Sequence, residues 1–252
     1  MPGPLKTEAV VLRSMRYGEA DRILHVLTPR RGKLSAIAKG VRRVRSRFGG
    51  RLEPYVRVEL LLHEGRSELL TVTGAQTLEA HARLRADGPS LDAAGRACDA
   101  VARLFDTGDP HPDVFNLLCH ELALLDASAG DAAADRAALQ ANQLAFRLKL
   151  LLAAGLAPHL ATCASCGERE HLSGFSGAAG GVVCAACEAS AFALDEDAHA
   201  FMVQALGRPL AQAPRAGERA LRQADRAIVE TAAHHAGVHL RDAVARVGSR
   251  SS

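Results

Sequence analysis

The sequence predicts an α+β chain of more than one domain: a small five-stranded β-barrel, then an all-helical domain with a compact cysteine-rich insert. Three observations predict it. Short apolar segments broken by turn residues fill the first part, Ala/Leu-rich stretches at helical spacing fill the rest, and two matched cysteine pairs interrupt the helical part. The 252-residue chain is 48% hydrophobic, enough to fill real cores without help from disulfides. The expected divisions are 1–80 for the barrel and 81–252 for the helical domain, with the insert at about 159–190.

The candidate strands are Glu8 to Leu12, Arg22 to Thr28, Lys33 to Lys39, Tyr55 to His63 and Ser67 to Gln76. Val56, Val58, Leu60 and Leu62 alternate with Arg57, Glu59 and Leu61, the period of a strand with one face buried. Turn residues separate the segments at Gly18, Pro29 to Gly32, Gly49-Gly50, Glu53-Pro54 and Glu64 to Arg66. Five short strands with a long third connection, Val41 to Pro54, fit a closed barrel of OB type. An SH3-like barrel produces a similar pattern, and periodicity alone leaves the two open.

Helices are expected from Pro89-Ser90 to Phe105, from Pro112 through Leu125, and over Ala132 to Ala154, ending at Gly155. Beyond the insert they are expected over Asp195 to Leu206 and Arg219 to His235, with a shorter one near Leu240 to Arg246.

Cys163-Ala-Ser-Cys166 and Cys184-Ala-Ala-Cys187 have the spacing of a tetrahedral zinc site, since a two-residue gap lets both thiolates of a pair reach one ion. Gly167 supports this by supplying a left-handed turn behind the first pair, and Leu172, Phe175 and Val182-Val183 read as a hairpin returning the second pair to the first. Four thiolates leave no position for a catalytic water, so one structural zinc ion is expected. His159 and His171 lie close by and read as surface residues, while Cys98 and Cys119 read as small buried apolar side chains.

Charge points to the partner. Residues 1–85 hold 17 Lys+Arg against 8 Asp+Glu, whereas the remaining 167 hold 14 against 20. The net charge of +3 therefore hides a basic front end on an acidic body. The excess concentrates in Pro29 to Arg51, where Arg30, Arg31, Lys33, Lys39, Arg42, Arg43, Arg45, Arg47 and Arg51 occur with no acidic residue. An unmixed, Arg-rich run on and between barrel strands is the pattern of a phosphate-binding surface for single- and double-stranded DNA. Aromatic residues are scarce, and only Tyr17, Phe48 and Tyr55 lie near the run. Phe48 fits a base contact and a core position equally.

No P-loop, G-x-S-x-G elbow or H-E-x-x-H motif is present, and no acid/base constellation stands out, so a non-enzymatic protein is expected. A zinc-assisted nuclease and a sequence-specific regulator are the competing readings. No apolar run of bilayer length and no secretory signal pattern at the start is visible, which makes the cytoplasm the expected location.

The chain resembles the bacterial RecO family of DNA repair proteins over essentially its whole length. The resemblance is carried by Glu8-Ala-Val-Val-Leu12, Arg16-Tyr17-Gly18-Glu19-Ala20-Asp21, Ala38-Lys39-Gly40-Val41-Arg42 with Arg45 and Ser46, and Gly50-Arg51-Leu52-Glu53-Pro54-Tyr55. Leu151 to Pro158 leading into Cys163-Ala-Ser-Cys166-Gly167 continues it. It implies an OB fold joined to a helical domain with a zinc insert, and DNA binding and strand annealing at the nucleoid. It also implies cooperation with RecR and single-stranded-DNA-binding protein in loading RecA. By position, Lys39, Arg42 and Arg45 match the family's basic loop and the four cysteines its zinc ligands.

Overall fold

The computed structural model describes residues 4–42, 48–65, 69–106, 108–130 and 136–244. These fall into two compact units, Met1–Gly130 and Asp131–Ser252.

In the first unit, β1 (Leu5–Tyr17), β2 (Asp21–Thr28), β3 (Gly32–Ala38), β4 (Arg57–His63) and β5 (Leu70–Glu79) close into a barrel in the order β1-β2-β3-β5-β4. All neighbours run antiparallel except β3 and β5, which pair in parallel through Ala36 with Leu70 and Ile37 with Thr71. This five-stranded closure is the OB arrangement. β1 extends well past the expected Leu12. It pairs with β4 over Leu5 to Val10 and with β2 from Val10 to Tyr17, and a register shift between Val11 and Arg13 marks the bend between the two roles.

The barrel interior holds Ala9 and Val11 of β1, Leu24 and Val26 of β2, Ala36 and Ala38 of β3, and Val58, Leu60 and Leu62 of β4. The alternation expected of β4 is present, with Leu61 turned outward and 41% exposed. Leu61 lies opposite Gly74, where its side chain fills the space that a Cβ would occupy.

Val10, Leu12 and Leu27 are also buried but belong to the outside of the barrel. They are covered by a helical layer of α1 (Ala82–Ala86), α2 (Gly88–Leu104) and α3 (Pro112–Ser128), with α2 packed on β1 and α3 on β2. Asp87 caps α2 by accepting the Ser90 N–H at 3.0 Å and the Ser90 hydroxyl at 2.6 Å, while Pro112 occupies the first turn of α3. The short α1 was not expected. Its five residues carry too little periodicity to read, and it is held from outside, by the Leu84 N–H donating to Asp126 of α3.

The second unit packs α4 (Arg136–Ala153), α5 (Glu196–Gly207) and α6 (Glu218–Ala236) together, and carries a three-stranded sheet of β6 (Leu172–Ser176), β7 (Gly181–Cys184) and β8 (Phe192–Ala193) in the order β7-β6-β8. The start expected for α4, 132–135, lies outside the described residues. Inside this unit Arg147 of α4 meets Asp225 of α6 at 3.1 Å, both side chains almost fully buried. The shorter helix expected near Leu240 to Arg246 is corrected for the residues described, 240–244, which are not helical. The Ala243 and Val244 N–H groups donate to Asp225 Oδ2 at 2.8 and 2.9 Å, and the Arg241 carbonyl accepts from Arg147. A buried carboxylate supplies the acceptor that a helical turn would otherwise provide.

Candidate nucleic-acid interface and metal centre

The basic run leaves β3 at Lys39 and re-enters the barrel at Phe48. At its first end the chain is tied to the tip of the β1–β2 hairpin: the Gly40 N–H donates to Asp21 Oδ1 at 2.7 Å, the Arg42 N–H to the Ala20 carbonyl at 2.9 Å, and the Arg42 guanidinium to the Glu19 carbonyl at 3.0 Å. At its second end Phe48 is 2% exposed and Leu52 1%, both inside the barrel core around a 3-10 turn, Gly49–Leu52. Each such burial stabilises by about 1.5–3 kcal/mol. Phe48 is thus a core anchor. Arg43, Arg45 and Arg47 lie outside the described residues.

Of the other basic residues, Lys39, Arg42 and Arg51 are exposed, and the Arg51 guanidinium donates to the Phe48 carbonyl at 3.3 Å. Arg30 is exposed at the β2–β3 turn, and Arg31 beside it pairs with Glu64 at 2.8 Å. Lys33 donates to the Ala102 carbonyl at the end of α2, and burial holds its ammonium below the ordinary lysine range, against the pull of Asp106. Since the seven residues of β3 span about 20 Å, Arg30, Arg31 and Lys33 stand at the opposite end of the strand from Lys39 and Arg42.

The hairpin tip brings up basic side chains that the sequence reading missed. Arg13 and Arg16 of β1 are exposed, opposite His25 and Arg22 respectively. Arg22 is held by Glu53 at 3.1 Å and by Ser14 at 3.2 Å. The signal was available: Arg13 and Arg16 continue the β1 register after the apolar run stops.

In the second unit the cysteine pairs converge. The Sγ atoms of Cys163, Cys166, Cys184 and Cys187 all lie within 4.8 Å of one another, and Cys166 and Cys184 are 3.7 Å apart. Thiolates about 2.3 Å from a tetrahedral ion are separated by about 3.8 Å, so the quartet fits one such cation. The Gly167 N–H donates to the Cys163 carbonyl with φ at +81°, and the Ala164 N–H donates to Val182 of β7, pinning the first pair beside the second. Burial works against a Cys163 thiolate, but backbone N–H groups of Cys184, Cys166 and Ser165 outweigh it and bring the thiol to about 6. Cys187, hydrogen-bonded by Cys166 and Cys184, is pushed up to about 12. One thiolate is thus favoured while Cys166 and Cys187 resist ionising, a balance that a divalent cation removes. His159 bonds to Thr162 at 2.6 Å, and neither it nor His171 joins the quartet.

The remaining cysteines are inert. Burial pushes the Cys98 thiol up, and does the same to Cys119, to about 12, against the opposing charge of Arg57.

The β6–β7 turn of the metal-site sheet is seated on α6. The His235 ring is 2.8 Å from the Gly177 carbonyl, and a Cβ at Gly177 would lie 2.8 Å from both the Glu230 and His234 side chains. Arg226 stacks over Phe192 at 4.1 Å.

Residues 1–81 match the family model described as Recombination protein O N terminal, and residues 85–242 the one described as Recombination protein O C terminal. The chain belongs to the RecO family. Among its relatives, DNA repair protein RecO of Rubrobacter xylanophilus is 38% identical over 235 residues, which cover 89% of this chain and 90% of that protein. RecO of an Anaeromyxobacter species is 39% identical over 186 residues, 73% of this chain and 70% of the relative. RecO of Bifidobacterium longum is 40% identical over 183 residues, 72% and 73% respectively. The family places the chain in recombinational DNA repair. No described helix is long and apolar enough to cross a membrane.

Proposed function

We propose that this chain binds single- and double-stranded DNA through the basic surface where the β3–β4 connection meets the β1–β2 hairpin, and that it anneals complementary strands without turning over a substrate. In the same reading it acts with RecR to load RecA onto DNA covered by single-stranded-DNA-binding protein. The mechanism is charge neutralisation: cations of the barrel screen two phosphate backbones from each other, so that bases can sample pairing. One observation carries it. Lys39 and Arg42 stand exposed at the root of a segment whose next five residues include Arg43, Arg45 and Arg47, and neither Lys39 nor Arg42 has an acidic side chain as partner among the described residues. The cysteine quartet holds one structural zinc ion, closed to water, and contributes no chemistry.

The test is nucleotide-free annealing by the full chain beside a variant with Lys39, Arg42, Arg43 and Arg45 all changed to Glu. The intact protein should anneal, with DNA affinity falling by about 0.7–0.9 log units per log unit of salt for each neutralised phosphate. The folded variant should lose both annealing and most of the salt slope. Full annealing by that variant would remove the assignment.

A further inference from the structure

The outward face of the β1–β2–β3 sheet is sealed at one end and open at the other. Register sets its rows across the strands: Val10 with Leu27 and Lys33, then Arg13 with His25 and Ser35, then Met15 with Ile23 and Ile37, and last Tyr17 with Asp21. Beneath the helical layer Val10 and Leu27 are wholly buried. Two rows on, Met15, Ile23 and Ile37 form a continuous apolar row that keeps part of its surface in solvent, and Tyr17 beside it is 54% exposed. Among the described residues Tyr17 is the one exposed aromatic side chain.

Cations frame this open end. Arg13 stands in the preceding row of the same face, Arg16 projects from the other side of β1 between Met15 and Tyr17, and Lys39 and Arg42 stand where the basic connection is tied to the hairpin tip. Of the two acidic residues at the tip, Asp21 accepts the Gly40 N–H and Glu19 is exposed. Burial first, then the charges of Arg13 and Lys33, hold the His25 imidazole below its ordinary value, as expected on a surface of positive potential.

We infer that this open end is a platform for unpaired bases, with Tyr17 as the stacking ring and Met15, Ile23 and Ile37 as the apolar floor, so that it favours single-stranded over duplex DNA. An apolar row next to an exposed ring offers nothing to a phosphate, whereas the face of an unstacked base covers both. A duplex keeps its base faces stacked and reaches only the cations. The inference rests on the reading that the adjoining basic surface holds nucleic acid.

The experiment titrates the full chain, Tyr17→Ala and Tyr17→Phe against a labelled oligothymidylate and a duplex of equal length, each at two salt concentrations. Removing the ring should weaken single-strand binding roughly tenfold and leave duplex binding nearly unchanged, while Tyr17→Phe keeps both affinities. Because the sequence contains no tryptophan, Tyr17→Trp adds a second readout: its fluorescence should be quenched by the oligothymidylate and not by the duplex. Equal losses on both DNA forms, or no loss on either, would overturn the platform while leaving the basic surface standing. An intact protein that binds neither form in a salt-dependent way would overturn the basic surface, and the platform with it.

Discussion

A single missing methyl group decides how the β2–β3 turn meets the helical layer. Gly32 sits at φ +59°, and a Cβ there would run into the Asp109 carbonyl. Gly32→Ala therefore combines a left-handed backbone penalty with backbone overlap, and should cost more than about 2 kcal/mol of stability in denaturant unfolding. An unchanged midpoint would show that the turn can shift at no cost. The turn itself was legible as Pro29 to Gly32, but not its contact with Asp109, because nothing local encodes a partner some seventy-five residues away. Lys33 teaches the same lesson. Its charge is plain in the sequence, yet its ammonium is turned to the Ala102 carbonyl, since alternate residues of β3 face outward and the row at Lys33 lies under α2. Phe48 stayed undecided because an isolated aromatic in a connection has no periodicity to show which way it points.

At the level of elements, each barrel strand could be located from its short apolar segment between turn residues, while lengths depended on pairing. β1 continues to Tyr17 because β2 offers it a ladder, so Arg13 and Arg16 sit in regular strand although the apolar run has ended. The stretch after α6 shows the reverse, a helical-looking composition drawn out of helix by Asp225. That carboxylate joins α4, α6 and the segment 241–244 through Arg147, Ala243 and Val244. Arg147→Met leaves a buried carboxylate without its cation and should cost about 3–5 kcal/mol. Adding Asp225→Asn removes the charge while keeping a side-chain oxygen for the two N–H groups, so the double variant should recover part of the loss. A double variant no more stable than Arg147→Met, measured by urea midpoint, would show that electrostatics is not what the pair supplies.

Across the whole molecule, the excess of positive charge over residues 1–85, visible by counting, lies inside one of the two units. The basic surface belongs to the unit Met1–Gly130, and the cysteine quartet to the unit Asp131–Ser252. Elemental analysis should find about one zinc per chain, and Cys163→Ser should lose it and lower the thermal stability of the second unit. DNA affinity of the folded variant should stay within about twofold of the intact protein, because removing the ion changes no cation of the barrel. A large loss of affinity would mean that the metal site reaches the DNA. The quartet was the most legible feature of the chain, since two-residue spacing is a local property. Its seating on α6 through Gly177 was not, because that depends on tertiary packing.

The connection between Arg42 and Phe48 is fastened at both ends by independent means, backbone hydrogen bonds to the hairpin tip at one and a ring sunk in the barrel at the other. Recoding a side chain between these two rivets therefore leaves both fastenings in place. Evolution, or an engineer, can retune the grip on a polyanion at those positions by changing side chains while the two anchors hold the ends where they were.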